Sequence, residues 1–269
     1  MLKRQLSNTG IWVSLLGLGT VKFGRNKNVH YPSPFDLPSD YAIETLLAHA
    51  QSLGINFLDT APAYGQSEER LGKLLRGKRH DWVLATKAGE EFVNSKSHYD
   101  FSAASIRNSV EHSLKQLKTD YLDIVLAHSN GDDLRIIQQE EVLSTLAELK
   151  TAGWIRAFGM STKTVEGGLL AIDNADIVMV TFNPIQQTER DVIRYAQQQK
   201  KGVLIKKALA SGHLDKIADD DAALRAFDFI LREPGVSSIV MGTINPEHLQ
   251  QNAECVETVC ELLRHSLGD

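Results

Sequence analysis

The chain has 269 residues, 42% of them hydrophobic, and a formal net charge of -5 at pH 7. A single domain spanning 1–269 can bury a substantial core at that length, and the mild acidity without long like-charge runs excludes the electrostatic footprint of a nucleic-acid or anionic-membrane binder. No apolar stretch reaches the roughly 18 residues of a membrane span and the first twenty residues lack a signal-peptide core, so a soluble, cytoplasmic protein with a small-molecule partner is expected.

In chain order, residues 2–14 read as a polar-then-apolar segment around Asn8-Thr9-Gly10, a hairpin that could plug one end of a barrel. Leu15 to Leu18 is the first strand. Asp40 to Leu53 carries Ile43, Leu46, Leu47, Ala50 and Leu53 on one helical face, and Gly54 stops it before a strand that ends at Asp59. The alternation then continues with a helix over 68–77, strand 82–86, helix 103–117, strand 121–127, helix 137–151 closed by Gly153, and strand 155–159. A helix over 163–173, strand 177–182, helix 188–199, strand 203–206, helix 220–232, strand 238–241 and a long helix from 246 complete it. Eight βα units of about 30 residues, with no GxGxxG after the first strand, predict a closed (β/α)8 TIM barrel with an N-terminal β-hairpin over an open dinucleotide-binding sheet. Cys255 and Cys260 lie about 140° apart around the last helix, so no disulfide joins them and a reducing compartment is consistent.

Four polar residues suited to proton transfer fall at the ends of three successive strands. They are Asp59 and Tyr64 after the second, Lys87 after the third and His128 after the fourth. Barrels of this kind build active sites at the carboxyl ends of their strands. Each residue has an ordinary alternative: Asp59 as a helix-entry cap, Tyr64 as a packed rim aromatic, Lys87 and His128 as surface or core groups. Their coincidence carries the catalytic reading. No metal site is expected. Trp82 and Trp154 precede strands and read as packing at the opposite end, whereas the loop Arg25 to Pro38 and the acidic stretch Ser129 to Asp133 read as the pocket rim.

These residues resemble the aldo-keto reductase family along the whole chain. The resemblance is carried by Asp59-Thr60-Ala61-Pro62-Ala63-Tyr64-Gly65, by Ser67-Glu68-Glu69-Arg70-Leu71-Gly72, by Ala85-Thr86-Lys87, by Asp120 to Asp123 leading to His128, by Gly153 to Ser161, and by Asn183. It implies hydride transfer from a nicotinamide dinucleotide to an aldehyde or ketone, with Tyr64 as general acid. Lys87 would lower the phenol's pKa, Asp59 would hold Lys87, and a neutral His128 would orient the carbonyl.

The resemblance also implies cofactor contacts. The loop after strand seven offers Lys206, Lys207 and Ser211, and the opening of the last helix offers Gly242, Thr243 and Asn245, with Gln251 and Asn252 further in. Ser161 would meet the carboxamide. NADPH is the expected cofactor, with NADH as the alternative. The chain departs from the family at Met179, where many members carry glutamine, at Lys206, where an aromatic residue often stands, and at Ile244 and His248, near which an arginine often grips the 2'-phosphate. Two rival readings stay open: a Schiff-base aldolase using Lys87, and a non-catalytic nicotinamide-nucleotide-binding barrel. The sequence is silent on oligomeric state.

Overall fold

The computed structural model describes residues 1–29, 31–210 and 221–267. The chain opens with β1 (Lys3–Gln5) and β2 (Trp12–Ser14), followed by β3 (Leu16–Gly19), a short α1 (Val21–Gly24) and α2 (Asp40–Ser52). Next come β4 (Phe57–Asp59), α3 (Ser67–Leu74), β5 (Val83–Ala88), a hairpin of β6 (Glu90–Val93) and β7 (Lys96–Tyr99), and α4 (Ala103–Leu117). β8 (Leu122–His128), α5 (Asp133–Gln138), α6 (Val142–Thr151), β9 (Ile155–Ser161), α7 (Val165–Asn174), β10 (Ile177–Thr181) and α8 (Arg190–Gln198) continue the series. β11 (Gly202–Lys206), α9 (Ala222–Leu231), β12 (Ser238–Met241) and α10 (Pro246–Leu267) end it.

Strands β3, β4, β5, β8, β9, β10, β11 and β12 pair in parallel, in that order, and β12 pairs back onto β3. This is the closed (β/α)8 barrel that the alternation predicts. Two apolar layers hold it. Inside lie Phe57, Val83, Ala85, Ile124, Leu126, Ala157, Ile177, Met179 and Leu204, packed with Leu6, Ile11 and Val13 of the β1–β2 hairpin. The hairpin therefore plugs the amino-terminal end, as its apolar half suggests. Outside, alternate strand residues such as Leu58, Leu84, Val125 and Val178 meet helix faces that include Ile43, Leu46, Ile106 and Val110.

Side-chain caps begin several helices: Ser39 accepts from the Ala42 amide at 3.1 Å for α2, and Thr164 from the Gly167 amide at 3.1 Å for α7. At the amino end of the barrel, Asp123 is buried between Arg79 (2.8 Å) and Arg156 (2.6 Å) and also accepts from the Leu84 amide. That network locks β8 to its neighbours on the face away from the cleft.

Two features differ from the sequence expectation. The helix expected over 137–151 is two helices, because Asp133 starts α5 early and is buried, accepting from the Lys163 amide (2.8 Å), the Thr164 amide (2.7 Å) and the Thr164 hydroxyl (2.7 Å). Asp133 thus ties two barrel loops together and is no open rim group. The β6–β7 hairpin, unforeseen, stands on β5 beside the cleft; Asn94 and Ser95 at its turn both have positive φ (52° and 62°).

Candidate active site

Strand register brings the polar residues together. Asp59 pairs with Gly19 and Ala85, Lys87 with Leu126, and His128 with Ser161, so each lies at the carboxyl end of its strand. All face a cleft of about 1300 Å³, which Tyr64, Glu90, Ser161, Lys206, Thr243 and Asn252 also line.

Tyr64 sits on a 3-10 turn, Pro62–Tyr64, that ends at Gly65. Gly65 has φ +61°, and a Cβ on it would stand 2.3 Å from the Gly24 carbonyl oxygen. Only glycine lets the Tyr64 turn press against α1 so closely. Arg25, stacked 3.4 Å over the Phe92 ring, donates to the Ala63 carbonyl at 3.1 Å and pins the same turn from the loop side.

Lys87 is 2% exposed, and its Nζ donates to Asp59 Oδ1 at 2.7 Å and to the Thr60 carbonyl at 2.9 Å, 5.0 Å from the Tyr64 ring centre. Burial would lower the Lys87 pKa, but Asp59 and Tyr64 more than reverse it, and the net shift is upward. Burial raises the Tyr64 phenol, and Lys87 recovers only part of that shift. The lysine therefore acts in the expected direction, yet the phenol's net displacement is up, contrary to the lowering read from the sequence. At neutral pH the pair is phenol and ammonium.

His128 lies edge-on to Tyr64, with ring centres 6.5 Å apart. Burial lowers its pKa, Glu90 opposes that, and the net shift is downward, so the ring is neutral near pH 7. Its Nδ1 is 2.6 Å from Oε2 of Glu90. Sequence reasoning missed Glu90. The sequence signal was slight: Asn94-Ser95 suits a tight turn, but Glu90 to Val93 and Lys96 to Tyr99 show no apolar–polar alternation to mark the strands.

The residues expected to bind a cofactor divide. Ser161, Lys206, Lys207, Gly242, Thr243, Gln251 and Asn252 line the cleft. Asn245 does not: its Oδ1 accepts from the Glu247 amide at 2.8 Å and caps α10. Ser211 lies outside the described residues, as does His30 of the expected rim. Lys206 Nζ donates to Ser161 Oγ at 2.9 Å and to the Thr162 carbonyl at 2.6 Å, and burial pushes its pKa down to about 8 despite the opposing Glu189 carboxylate. Asn183 builds a turn, accepting from the Ile185 and Gln186 amides and donating to the Lys207 carbonyl.

These residues fit a nicotinamide dinucleotide. The cleft exceeds the roughly 300–1,000 Å³ of an ordinary small-ligand pocket. Buried polar groups, Ser161, Thr243 and Asn252, face it along its length, and Lys207 supplies an exposed cation. A parallel (β/α)8 barrel that gathers phenol, ammonium, carboxylate and imidazole at the carboxyl ends of its strands is an enzyme architecture.

Comparison with known proteins narrows the class. The model of the aldo/keto reductase family matches residues 15–228, and the chain belongs to that family of NAD(P)H-dependent oxidoreductases. A solved structure from Pseudomonas aeruginosa, assigned as an aldo-keto reductase, superposes with a TM-score of 0.88 at 50% identity, covering 96% of each chain. An aldo-keto reductase of Bacillus subtilis is 34% identical over 78% of this chain and 62% of its own length. The L-galactose dehydrogenase of Arabidopsis thaliana is 32% identical over 78% of this chain and 66% of its own. Among the described residues no helix is long and apolar enough to cross a membrane.

Proposed function

We propose that the protein reduces a small aldehyde or ketone with NADPH, and that Tyr64 delivers the proton to the nascent alkoxide. The observation that carries the reading is the buried relay from Asp59 through Lys87 to Tyr64. Burial keeps Tyr64 a phenol at neutral pH, so it holds a proton to give. The Lys87 ammonium stabilises the phenolate left behind, and Asp59 keeps Lys87 charged and aimed. His128 orients the substrate oxygen beside Tyr64. When bound, the reduced nicotinamide supplies the hydride. Ser161, Lys206, Lys207, Gly242, Thr243, Gln251 and Asn252 hold the dinucleotide, with Lys207 attracting its phosphates and Lys206, bonded to Ser161, at the nicotinamide end. One barrel domain, residues 1–269, carries the reaction.

Lys87 is a poor Schiff-base nucleophile, because that chemistry needs a neutral amine and its surroundings favour the ammonium. Oxidation of NADPH and NADH followed at their reduced-nicotinamide absorbance with an aldehyde panel tests the proposal. Turnover with NADPH ahead of NADH is expected. Failure to bind either nucleotide refutes the cofactor assignment, and binding without turnover of any carbonyl returns the chain to the non-catalytic reading.

A further inference from the structure

The β6–β7 hairpin stands on the carboxyl end of β5, and in the closed ring of strands β5 lies opposite β11. The loop after β11 and the opening of α10 carry the residues that fit the dinucleotide, so the hairpin faces them across the cleft. Antiparallel pairing sets Glu90 beside Tyr99 and Phe92 beside Ser97, which puts all four side chains on one face of the hairpin. Those four line the cleft, and the alternate residues Glu91, Val93, Lys96 and His98 belong to the other face.

That cleft face is polar. Glu90 is 7% exposed, and its Oε2 lies 2.6 Å from Nδ1 of His128, which places the carboxyl beside the Tyr64–His128 pair. Burial pushes the carboxyl up, but His128, Ser97 and Tyr99 bring it down to about 2, so Glu90 is a carboxylate at neutral pH. Arg25 covers the phenyl ring, its guanidinium 3.4 Å over Phe92, and donates to the Lys27, Ala63 and Asn28 carbonyls at 3.0, 3.1 and 2.9 Å. Those bonds fix the guanidinium and leave it further N–H groups. Arg25 also feels the Glu90 charge, and the two offset each other.

We propose that this hairpin face and Arg25 form the substrate-recognition wall, and that the substrate is a short, uncharged aldehyde or ketone with hydroxyls on the carbons next to its carbonyl. The inference rests on the reductase reading of the cleft and deepens it. With the carbonyl oxygen between Tyr64 and His128, a neighbouring hydroxyl donates to Glu90 and a further one accepts from Arg25, while the Ser97 and Tyr99 hydroxyls can do either. An alkyl or aryl chain would cover a carboxylate and a guanidinium and return none of the hydrogen bonds that water gave them. An anionic carbonyl compound would set its own carboxylate against Glu90. A site built to hydrogen-bond substrate hydroxyls rejects the analogue that lacks them far more strongly than an apolar pocket rejects a missing methylene.

The test is kcat/KM with NADPH for glyceraldehyde, propanal and succinic semialdehyde, each referred to its free-aldehyde concentration. Glyceraldehyde should lead propanal by about 10²-fold, and succinic semialdehyde should trail glyceraldehyde. The lead over propanal should shrink by about tenfold or more in Glu90→Gln and by less in Ser97→Ala, with circular dichroism showing that both variants fold. A general loss of turnover cancels from this ratio, so it reads recognition alone. A native ratio near one, a preference for succinic semialdehyde, or a ratio that Glu90→Gln leaves unchanged overturns the proposal. If no carbonyl is turned over with either nucleotide, the reductase reading fails by itself, and saturation-transfer NMR with erythritol and butanol decides the wall. Erythritol should show the stronger contact with the native protein and lose it in Glu90→Gln; equal contact overturns the proposal.

Discussion

Glu68 lies one turn behind the site and carries a measurable strain. It is 2% exposed on α3, accepts from the Thr86 hydroxyl at 2.5 Å, and burial pushes its pKa up from 4.5 to about 7 despite help from Thr86, Ser113 and Lys87. A carboxyl whose folded pKa is raised destabilises the fold where it must ionise. Below about pH 4.5 it is protonated in both states and contributes nothing, and the penalty grows as pH climbs to about 7 and is full above that. The displacement corresponds to about 3 kcal/mol. Glu68→Gln keeps the acceptor for Thr86 and removes the charge, so its stability should exceed the native protein's by up to about 3 kcal/mol at about pH 8.5, and the two should converge near about pH 4.5. Urea denaturation followed by circular dichroism at both pH values measures the difference. A variant no more stable than native at the higher pH refutes the reasoning, as does one whose advantage does not depend on pH.

Two further outcomes follow from the same geometry. Gly65→Ala should cost at least about 2 kcal/mol and displace the Tyr64 turn, since its Cβ would meet the Gly24 carbonyl, whereas Gly77→Ala has a similar positive φ (+77°) with nothing within 4 Å and should cost only about 1 kcal/mol; equal denaturation midpoints would show that the contact is irrelevant. Lys206 is charged below about pH 8 and neutral above it, and its charge opposes the positive oxidised nicotinamide more than the neutral reduced one. The ratio of the Kd for NADP+ to that for NADPH, from fluorescence titration, should therefore fall as pH rises through about 8 and stay flat in Lys206→Met; a flat native ratio places Lys206 away from the ring.

Much of this fold is legible because period and punctuation agree. The stripe Ile43, Leu46, Leu47 and Ala50 is buried as its spacing implies, Gly54 and Gly153 stop their helices with positive φ, and α4 and β12 match their expected bounds. The four polar strand-end residues were legible for a related reason: each follows an apolar run whose direction in a parallel barrel is already determined. What was not legible depends on contacts distant in sequence. The early start of α5 depends on Asp133 finding amides 30 and 31 residues away, and the net rise of the Tyr64 pKa depends on burial that no spacing reports. Asn245 could cap or bind, and only the coordinates assign its oxygen to the Glu247 amide. Glu90 was hidden because its partner is the histidine of another strand.

In the proposed reaction Tyr64 gives the proton while Lys87 and Asp59 support it. Single-turnover stopped-flow with prebound NADPH and an aldehyde, on native protein and Tyr64→Phe, tests it most directly. Nucleotide affinity should be unchanged and the hydride-transfer rate lower by about 10²–10⁴-fold in the variant. A Tyr64→Phe protein that binds NADPH and reduces the aldehyde at the native rate would contradict it.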